Sequence, residues 1–576
     1  MSSSSTIFRA LRPEKSSSAN CVSAMPPNTW PDRVEYPRRP TPDHRGLRDS
    51  MYSDTTYPAV LQSVCEDHGE RIFLHATSAT RGELDMTYAD LERRSRQVAA
   101  GLLGLGLRRG ERVAIAAPNQ SEWLELFFGA VRVGLIVVTL SPRYRESELV
   151  YMLNQSGARV VISSARVGDF DFESFYAGLR GRIPSVEHLL FLGASEPEQD
   201  FERLLGGHGD AAIARHEQAV AAADPAIILY TSGTTGQPKG ATLTHRGLLA
   251  SGRAQVGNYP GLSESDVYLG IMPLNHVGGI TCTITSAMLT GARVVLQQAF
   301  SPSAALRALD ADGVTLFAGV PTMWTLMLAD PLIEGVAKDT LRCIIIGGSN
   351  LEPTLARRIA DTFPQAVLTN LYGQSEASGA TVISPVTDSL QAIARSIGLP
   401  LQGVQARVAG PDGSVLAAGQ EGELQLRGQS VAAGCWNMPE PTAQTFLADG
   451  WLATGDMVMQ EADGHIVLLG RKKEMFLQGG YNVYPVEVEN ILTSHPAVAM
   501  AAGIGVPDAV LGEVGCYYIV LRPGQQVSAD DLIALCRQQL ADYKVPRQIV
   551  LADELPTTPG GKIAKAVLRS NHGAAA

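Results

Sequence analysis

An eleven-residue stretch, Tyr230-Thr-Ser-Gly-Thr-Thr-Gly-Gln-Pro-Lys-Gly240, constrains the fold of this chain more than any other feature of the sequence. The apolar run at 226–230 before it predicts a buried strand, and residues 243–254 after it predict a helix with Thr244 as its cap. Glycine allows the backbone to turn sharply and to approach a ligand closely. Backbone N–H groups and hydroxyls can donate hydrogen bonds to phosphate oxygens, and Lys239 adds a positive charge. The stretch therefore predicts a strand–loop–helix unit that binds a polyphosphate.

The lysine of this loop does not belong to a Walker motif. In that motif Ser or Thr follows Gly-Lys and binds magnesium, whereas here Pro238 precedes Lys239 and Gly240 follows it. A Gly- and Thr-rich surface turn is the alternative interpretation. The setting between a strand and a helix favours phosphate contact over a plain turn.

Length and composition narrow the class of protein. At 576 residues the chain is too long for a single core, which predicts two or more domains. Its formal net charge of -11 argues against a nucleic-acid partner. The seven cysteines include no CxxC pair and no metal-like spacing, which favours free thiols in a reducing, cytoplasmic compartment. The longest uncharged stretch, at 267–292, is broken by Pro273 and by polar residues, so no membrane span is predicted.

The first fifty residues differ from the rest of the chain. They are rich in Ser, Pro and Arg and offer little to a packed core, which predicts a disordered N-terminal extension over 1–50. An organelle transit peptide is the alternative, and Glu14 and Asp32 argue against it.

Strands and helices alternate once the chain becomes orderly, from about residue 55. Thr87 and Asp90 form a predicted capping box at the start of a helix. A strand at 112–116, a helix at 122–133 and a second strand at 135–140 follow. This alternation predicts a parallel sheet covered by helices, and thus an α/β fold.

Two later segments place ligand-binding residue types after predicted strands. Gly347, Gly348 and Ser349 follow a buried strand, and the carboxyl ends of parallel strands are where such folds bind ligands. Residues 370–376 then read Asn-Leu-Tyr-Gly-Gln-Ser-Glu. Tyr372 offers a flat face for a base, and Glu376 offers a hard oxygen ligand for magnesium.

Other candidate residues are ambiguous by themselves. His276 lies beside two glycines, and a lone histidine is more often structural than catalytic. The segment 317–324 is either a pocket wall or part of the core. Asp456 follows a glycine, as turn residues often do. The basic run at 471–473 is by itself typical of a solvated face. Lys562, in a Pro- and Gly-rich loop, is surface charge or a catalytic group.

Taken in order, these motifs resemble those of the adenylate-forming superfamily, which includes acyl-CoA synthetases, firefly luciferase and the adenylation domains of peptide synthetases. The resemblance covers about residues 55–568 and is strongest to AMP-dependent acyl-CoA synthetases. It implies a large N-terminal domain of layered α/β subdomains with mainly parallel sheets, at 51–470. It also implies a hinge at 471–473 and a small, mobile α+β C-terminal domain at 474–576.

The resemblance also implies roles for individual residues. Tyr372 would stack on adenine, Asp456 would accept the ribose hydroxyls, and Arg471 would contact the ribose or the phosphates. Glu376, with Thr231, would bind the metal. The remaining nucleotide- and CoA-binding positions are Thr231, Ser232, Gly233, Thr234, Thr235, Gly236, Lys239, Gly347, Gly348, Ser349, Gly373, Gln374, Ser375, Gly479 and Gly480.

Four residues would act in catalysis by the same resemblance. Lys562 would reach the reacting carboxylate and the α-phosphate, and Glu376 would act through the metal. Lys473 would be the pivot about which the small domain rotates between two half-reactions. His276 would border the carboxylate pocket and gate thiol entry, with a purely structural histidine as the equal alternative.

The resulting prediction is an AMP-forming acyl-CoA synthetase that uses ATP, Mg²⁺ and CoA. An apolar acid (fatty, alicyclic or aryl) is favoured because the pocket segment shows no obvious charged residue. Transfer to the phosphopantetheine of a carrier protein is the alternative, and a homodimer is an open expectation. An interpretation outside the enzymes is a regulatory protein that binds a nucleotide without turnover. The presence of both Lys562 and Glu376 argues against it.

Overall fold

The computed structural model describes residues 6–9, 54–205, 210–231, 237–259, 261–349, 351–557 and 563–575. For 6–9, 210–212, 574 and 575 it describes the backbone alone. The predicted site residues Ser232, Gly233, Thr234, Thr235, Gly236 and Lys562 lie outside the described residues. So does most of the predicted extension at 1–50.

A six-stranded sheet carries the strand that precedes the phosphate-binding stretch. Its order across the sheet is Lys239–Thr244, Pro225–Thr231, Ile136–Thr139, Arg112–Ala116, Val160–Ser164 and His188–Leu192. All neighbours are parallel except the first pair, which is antiparallel. The predicted strands at 112–116 and 226–230 are confirmed, and the predicted strand at 135–140 is confirmed at its centre.

The prediction of a loop running directly into a helix was incomplete. The strand Lys239–Thr244 lies between the loop and the helix, and the helix occupies His245–Gly257. Thr244 is its N-cap, as predicted, and its side chain accepts a hydrogen bond from the N–H of Gly247. Lys239 therefore begins a strand.

A nine-stranded sheet, counted over the described residues, packs beside the first. Its order is Leu399–Pro400, Gly379–Ile383, Val367–Gln374, Cys343–Gly347, Leu316–Gly319, Val267–Gly270, Arg293–Leu296, Ile72–Ser78 and Gly82–Thr87. The central strands are parallel, and the strands at both edges are antiparallel. The parallel centre confirms the predicted α/β fold.

The main core lies between these two sheets. Alternate residues of both sheets enter it, for example Val137 and Ile227 from one and Val294 and Ile345 from the other. Two further cores cover the outer faces of the sheets under their own helices. The described helices of this part of the chain are Tyr57–His68, Tyr88–Gly104, Ser121–Arg132, Glu146–Ser156, Phe172–Leu179, Asp210–Ala219, His245–Gly257, Val277–Gly279, Ser286–Thr290, Pro302–Ala311, Pro321–Met327, Pro353–Thr362, Leu390–Arg395 and Pro439–Thr445.

Local sequence explains several helix starts. The predicted capping box of Thr87 and Asp90 is present, with side chain and backbone bonded in both directions.

The segment Ile280–Thr285 is a π-helix. Its hydroxyls bond to carbonyls five residues earlier, Thr283 to Gly278 and Thr285 to Ile280. Such π turns are frequent at functional sites.

A small antiparallel sheet leads from the large domain to the C-terminal domain. It consists of Val404–Ala409, Glu421–Gly428, Leu452–Gln460 and Ile466–Arg471. A two-stranded ribbon of Arg166–Val167 and Phe170–Asp171 lies elsewhere on the large domain. The short 3₁₀ turns are Arg180–Arg182, Pro197–Gln199, Phe201–Leu205, Pro331–Glu334, Ser375–Ala377 and Asp542–Lys544.

The C-terminal domain runs in the order helix, strand, strand, helix, strand. These elements are Pro485–Ser494, Val498–Asp508, Gly512–Leu521, Ala529–Gln539 and Gln548–Leu551. The hairpin of Phe476–Gln478 and Tyr481–Val483 joins their sheet, and the helix Lys565–Ala575 follows. The backbone strand Thr6–Arg9 pairs antiparallel with Gln548–Leu551, at a place where the sequence predicts no regular structure. Among the described residues, no helix is long and apolar enough to cross a membrane.

Candidate active site

Asp456 lies between two of the residues predicted to bind the nucleotide. The hydroxyl of Tyr372 donates to Asp456 Oδ2 across 2.5 Å, and Arg471 Nε lies 2.8 Å from Oδ1. Asp456 and Arg471 are register partners on adjacent antiparallel strands, which puts both side chains on one face. Burial and the Asp456 carboxylate raise the pKa of Tyr372 well above its usual value, so the phenol keeps its proton. The structure thus joins three of the predicted positions.

Glycine at 373 is needed where this strand turns towards the site. A Cβ on Gly373 would lie 2.1 Å from the backbone oxygen of Gly379, well inside van der Waals contact. The ladder between the two strands is irregular at this point, between Tyr372 and Gly373. Pairing continues beyond this irregularity to Gln374, and the strand is followed by the 3₁₀ turn Ser375–Ala377, which contains Glu376.

Glu376 faces the end of a strand from the other sheet. Thr231 Oγ1 donates to Glu376 Oε1 across 3.1 Å, although the two residues are 145 positions apart. Thr231 pairs with Lys239 across the antiparallel ladder, so the lysine lies beside the same strand end. The structure therefore brings the two predicted metal ligands together, with a positive charge nearby.

These two residues fit a magnesium ion. Magnesium is held in most nucleotide enzymes by one or two carboxylates together with waters and substrate phosphates. A half-buried carboxylate beside a hydroxyl supplies hard oxygen donors of that kind. In the described part of the chain no cluster of three or more His, Cys, Asp or Glu side chains could hold a metal alone. The remaining ligands would have to come from phosphate and water.

One residue near Glu376 has an unpaired donor among the described residues. Ser375 is buried beside Glu376, and the side-chain nitrogen of Gln374 is buried with no hydrogen-bond partner among the described residues. A buried amide nitrogen without a partner carries a desolvation cost that a ligand acceptor would remove. This observation supports the predicted role of the 372–376 segment in ligand binding.

Gly347, Gly348 and Ser349 follow the adjacent parallel strand. Gly347 pairs with Leu371, next to Tyr372, so both strands end at the same edge of the sheet. Gly348 has φ +83°, which favours glycine, and a Cβ there would approach Val320 Cγ1 to 3.2 Å. Ser349 is exposed. These residues therefore lie beside the Tyr372 segment.

His276 caps a short helical turn at the start of the π-helix segment. Its Nδ1 accepts from the N–H of Gly278 across 3.0 Å, so in the neutral ring the proton is on Nε2. The preceding residue, Asn275, accepts from Thr139 at the carboxyl end of a strand of the six-stranded sheet. Thr139 is the register partner of Leu229, two residues before Thr231. His276 therefore caps this turn, and its role at a pocket stays a prediction.

Asn119 fixes this segment and was not predicted from the sequence. Its Nδ2 donates to the carbonyls of Met272 and Gln297, each at 3.1 Å, and its Oδ1 accepts from the N–H of Leu274. The side chain is buried, and its partners lie more than 150 positions away in sequence. An asparagine before a helix looks like an ordinary turn residue, so no local signal identifies it.

The segment 317–324 contributes mainly to the core. Phe317 and Trp324 are fully buried and in ring contact at 4.9 Å. Both belong to the core on the outer face of the nine-stranded sheet. Of the two interpretations left open, core packing is confirmed for these two side chains, whereas Val320 faces Gly348.

The basic run after Arg471 lies at the start of the C-terminal domain. Lys472 is paired with Glu423 at 2.9 Å, and its N–H donates to the carbonyl of Gly455. Lys473 is exposed. Gly479 and Gly480 have φ of +61° and +86° and form the two-residue turn of the following hairpin. Their conformation explains the glycines without a ligand, so their predicted contact with CoA is untested.

Comparison with known proteins agrees with this geometry. The AMP-binding enzyme family matches residues 61–436, and the AMP-binding enzyme C-terminal domain matches residues 487–562. A feruloyl-CoA synthase of Amycolatopsis sp is 35% identical over 506 residues, which cover 87% of this chain and 97% of that protein. The mitochondrial medium-chain acyl-CoA ligase ACSF2 of Mus musculus is 30% identical over 555 residues, covering 91% and 89%.

Solved structures show the same architecture. The crystal structure of the anthranilate CoA ligase AuaEII in complex with anthranoyl-AMP has a TM-score of 0.81 at 27% identity, covering 91% of this chain and 98% of that one. An amide bond synthetase from Marinactinospora thermotolerans has a TM-score of 0.78 at 28% identity, covering 89% and 99%. The family match spans most of both domains. The chain belongs to the AMP-binding enzyme family of adenylate-forming enzymes and is an acid–thiol ligase.

Proposed function

We propose that this protein is an AMP-forming acyl-CoA synthetase for an apolar carboxylic acid. It joins the acid to the α-phosphate of ATP with release of pyrophosphate, and then transfers the acyl group to the thiol of CoA with release of AMP. The observation that carries the proposal is the position of Asp456 between Tyr372 and Arg471, in a chain that also pairs Glu376 with Thr231.

Asp456 has the capacity to bind a ribose in its observed setting. An ionised carboxylate offers about four lone-pair positions on its two oxygens. Tyr372 and Arg471 use one on each oxygen. A carboxylate can accept from two vicinal hydroxyl donors, and Tyr372 and Arg471 fix the direction in which this carboxylate points. The ring of Tyr372, held by its hydroxyl, offers a face to the attached base.

The first half-reaction brings a carboxylate anion to a polyanion. The carboxylate is already ionised at neutral pH, so no general base is needed. The attacking oxygen forms a bond to the α-phosphorus as the bond to the pyrophosphate oxygen breaks. Lys239 and Arg471 place positive charge near the phosphates, and Lys562 is proposed to do so at the reacting oxygens. One such preorganised charge typically contributes about 3 kcal/mol to the transition state.

Glu376 and Thr231 would hold a magnesium ion in this reaction. When bound, the ion would neutralise charge on the phosphate oxygens. The role of the chain itself is to orient the Glu376 carboxylate through the Thr231 hydroxyl, which donates to one of its oxygens.

The second half-reaction needs a thiol rather than a new catalytic residue. The thiol sulfur forms a bond to the carbonyl carbon, AMP leaves with the electron pair of the broken C–O bond, and the thiol proton is released. The hinge at 471–473 connects the domain that carries Lys562 to the nucleotide site, which supports a rotation between the two half-reactions. Lys473 is the proposed pivot.

Three of the compared proteins are named for acids of the proposed class. The names of the compared proteins refer to a ferulic, a medium-chain and an anthranilic acid. The π-helix segment beside His276 is uncharged, with buried Ile280, Thr281 and Cys282. An aliphatic, alicyclic or aryl acid is therefore the proposed substrate class.

An assay over a panel of acids tests the proposal. ATP-dependent pyrophosphate release is measured with and without CoA, and the products are identified by mass spectrometry. Acyl-CoA and AMP from one class of acid support the proposal and identify the substrate. Pyrophosphate and acyl-adenylate without acyl-CoA would instead indicate a carrier-protein acceptor. Pyrophosphate release from none of the acids would contradict the proposal.

A further inference from the structure

A buried lysine in the C-terminal domain is paired with two carboxylates. Lys565 Nζ lies 2.8 Å from Glu474 Oε2 and 2.8 Å from Glu489 Oε1. The exposed side-chain fractions are 15% for the lysine and 26% and 13% for the two glutamates. We call these three residues the Lys565 cluster.

Burial makes this cluster costly to break. Burial alone would lower the pKa of Lys565, but Glu489 and Glu474 outweigh it and the pKa is raised. Burial raises the pKa of Glu489 despite the lysine, and the N–H of Gly503 supplies a further hydrogen bond to its Oε1 at 2.6 Å. Removing one partner from a buried ion pair leaves an uncompensated charge, whereas the complete cluster has a fixed geometry.

The three residues come from three separate parts of the domain. Glu474 follows the proposed pivot Lys473, and its N–H donates to the carbonyl of Arg471. Glu489 lies on the helix Pro485–Ser494, and Lys565 begins the helix Lys565–Ala575. The cluster therefore connects the exit of the hinge to the C-terminal helix through a third element.

Lys565 also lies at the base of the loop that carries Lys562. Thr557 and Ile563 form an antiparallel bridge, and the N–H of Ala564 donates to the carbonyl of Pro556 across 2.8 Å. These contacts hold Pro556 and Thr557 against Ile563 and Ala564, and Lys565 is the residue after Ala564. A shift of Lys565 would thus move the base of the loop in which Lys562 is found.

We propose that Lys565 is a positioning residue for adenylation: with Glu474 and Glu489 it joins the hinge exit to the base of the Lys562 loop, so that both move as one body. This rests on the proposed function, in which Lys562 contacts the reacting groups. Lys565 itself contacts none of them. Because the Lys565 cluster holds the intervening elements together, a rotation at Lys473 turns the Lys562 loop together with the hinge exit.

A second ion pair in the same domain provides a matched control. Lys544 Nζ lies 2.8 Å from Glu487 Oε2, with 19% and 28% of the side chains exposed. Its distance and burial resemble those of the pair between Lys565 and Glu474, but its partners are not at the hinge exit or the loop base. The Lys544→Met variant removes an equivalent charge pair without touching the Lys565 cluster.

The half-reactions are measured separately in the full-length enzyme. Adenylation is followed as pyrophosphate release, and thioester formation is followed from supplied acyl-adenylate and CoA. Lys565→Met is expected to lower the adenylation kcat about a hundredfold with little change in KM for ATP, because small misplacements cost that much. Thioester formation is expected to change less than about threefold, and Lys565→Arg is expected to restore most of the adenylation rate. Lys544→Met is expected to leave adenylation unchanged.

Glu474→Ala serves where Lys565→Met fails to fold. This variant retains the ion pair of Lys565 and Glu489, whose charges cancel, and removes only the link to the hinge exit. Its adenylation kcat is expected to fall about tenfold, the effect of losing one charged hydrogen bond. If the rates of both half-reactions fall equally, and by the same factor as the folded fraction of the variant, the cluster has only a structural role. Unchanged adenylation in both variants would also overturn the proposal.

Hydrogen exchange separates this inference from the proposed function. Exchange at the amide of Ala564, which bonds to Pro556, is compared between wild type and Glu474→Ala by mass spectrometry. Faster exchange at the loop base in the variant, with unchanged exchange in the strand Gly512–Leu521, supports the inference even if no acid gives pyrophosphate. Identical exchange at Ala564 in both proteins would overturn it, whatever the activity.

Discussion

The phenol of Tyr372 donates a hydrogen bond to the Asp456 carboxylate across 2.5 Å, and the two residues come from different sheets. The carboxylate is held from its other side by Arg471. A side chain with a charged partner on one oxygen and a phenol on the other has little freedom to rotate. The orientation of Asp456 is therefore set before any nucleotide binds, which lowers the entropic cost of binding.

Removal of this hydrogen bond should weaken ATP binding more than it slows the chemistry. Tyr372→Phe keeps the aromatic face but removes one hydrogen bond from the Asp456 carboxylate, so KM for ATP is expected to rise about tenfold, equal to about 1.4 kcal/mol. Asp456→Ala also removes the ribose acceptor and is expected to lower kcat/KM about a hundredfold. The measurement is pyrophosphate release as a function of ATP concentration.

Asp449→Ala provides the control for these two variants. Asp449 is a mostly exposed aspartate paired with Arg407 near the same sheet, and its loss should leave KM for ATP unchanged. A KM that is unaffected by Asp456→Ala would contradict the ribose assignment.

Glu376 should control the magnesium requirement. Glu376→Gln retains the size and one acceptor oxygen but loses the charge that a divalent cation prefers. The magnesium concentration for half-maximal adenylation is expected to rise about tenfold or more, and the saturated rate to fall about a hundredfold. Thr231→Val, which releases the carboxylate from its hydroxyl partner, is expected to give a smaller shift in the same direction.

A magnesium titration at fixed ATP checks this prediction. Glu440→Gln, at the exposed start of the helix Pro439–Thr445, is the control. If the magnesium midpoint of Glu376→Gln equals that of wild type, Glu376 does not bind the metal.

Local sequence signals predicted a large part of this structure. The strands at 112–116 and 226–230 are short apolar runs, and the caps at Thr87 and Thr244 depend on residues three positions away. The order of the motifs identified the family, because each motif keeps its place between the same elements. Such features need no knowledge of distant contacts.

The strand Lys239–Thr244 was not predicted because its partners are not local. Its sequence, Lys-Gly-Ala-Thr-Leu-Thr, has no strong alternation of polar and apolar residues. It is stabilised on one side by the strand Pro225–Thr231 and on the other by backbone contacts with residues 433–436. Asn119 and Lys565 were missed for the same reason, since their partners are separated from them in sequence by tens of residues or more.

A proline at the hinge should separate the two half-reactions. Among the described backbone hydrogen bonds, the N–H of Lys472 donates to Gly455 and that of Glu474 to Arg471, and Lys473 contributes no donor. Lys473→Pro therefore removes no backbone donor from these bonds, and it restricts rotation at the proposed pivot. Adenylation is expected to remain within about threefold of wild type, and thioester formation to fall about a hundredfold or more.

Lys473→Ala is the matched control, because it removes the side chain without stiffening the backbone. Both half-reactions should remain near wild type in this variant. Equal loss of both half-reactions in Lys473→Pro would argue against a pivot at this residue.

His245 should make the stability of the large domain depend on pH. Its ring is fully buried, and its Nδ1 accepts from the N–H of Tyr57 across 3.1 Å. Burial lowers the pKa of His245 to about 4 from its ordinary value of 6.5, although Asp224 opposes the shift. The unfolded chain therefore binds a proton between pH 6.5 and 4 that the folded chain does not. Its contribution to stability is complete above pH 6.5 and declines as the pH falls towards 4.

The size of this effect can be measured in a variant that does not titrate. The shift corresponds to a total loss of about 3 kcal/mol, of which about 2 kcal/mol is expected between pH 7 and pH 5. His245→Asn keeps an acceptor for the Tyr57 N–H and should flatten this dependence in the unfolding transition of the large domain. His188→Asn, on the strand His188–Leu192, should retain it. The His245 imidazole is the one group that distinguishes the variant from wild type. If the free energy of unfolding of His245→Asn falls as much as that of wild type between pH 7 and pH 5, this imidazole is not the group that titrates.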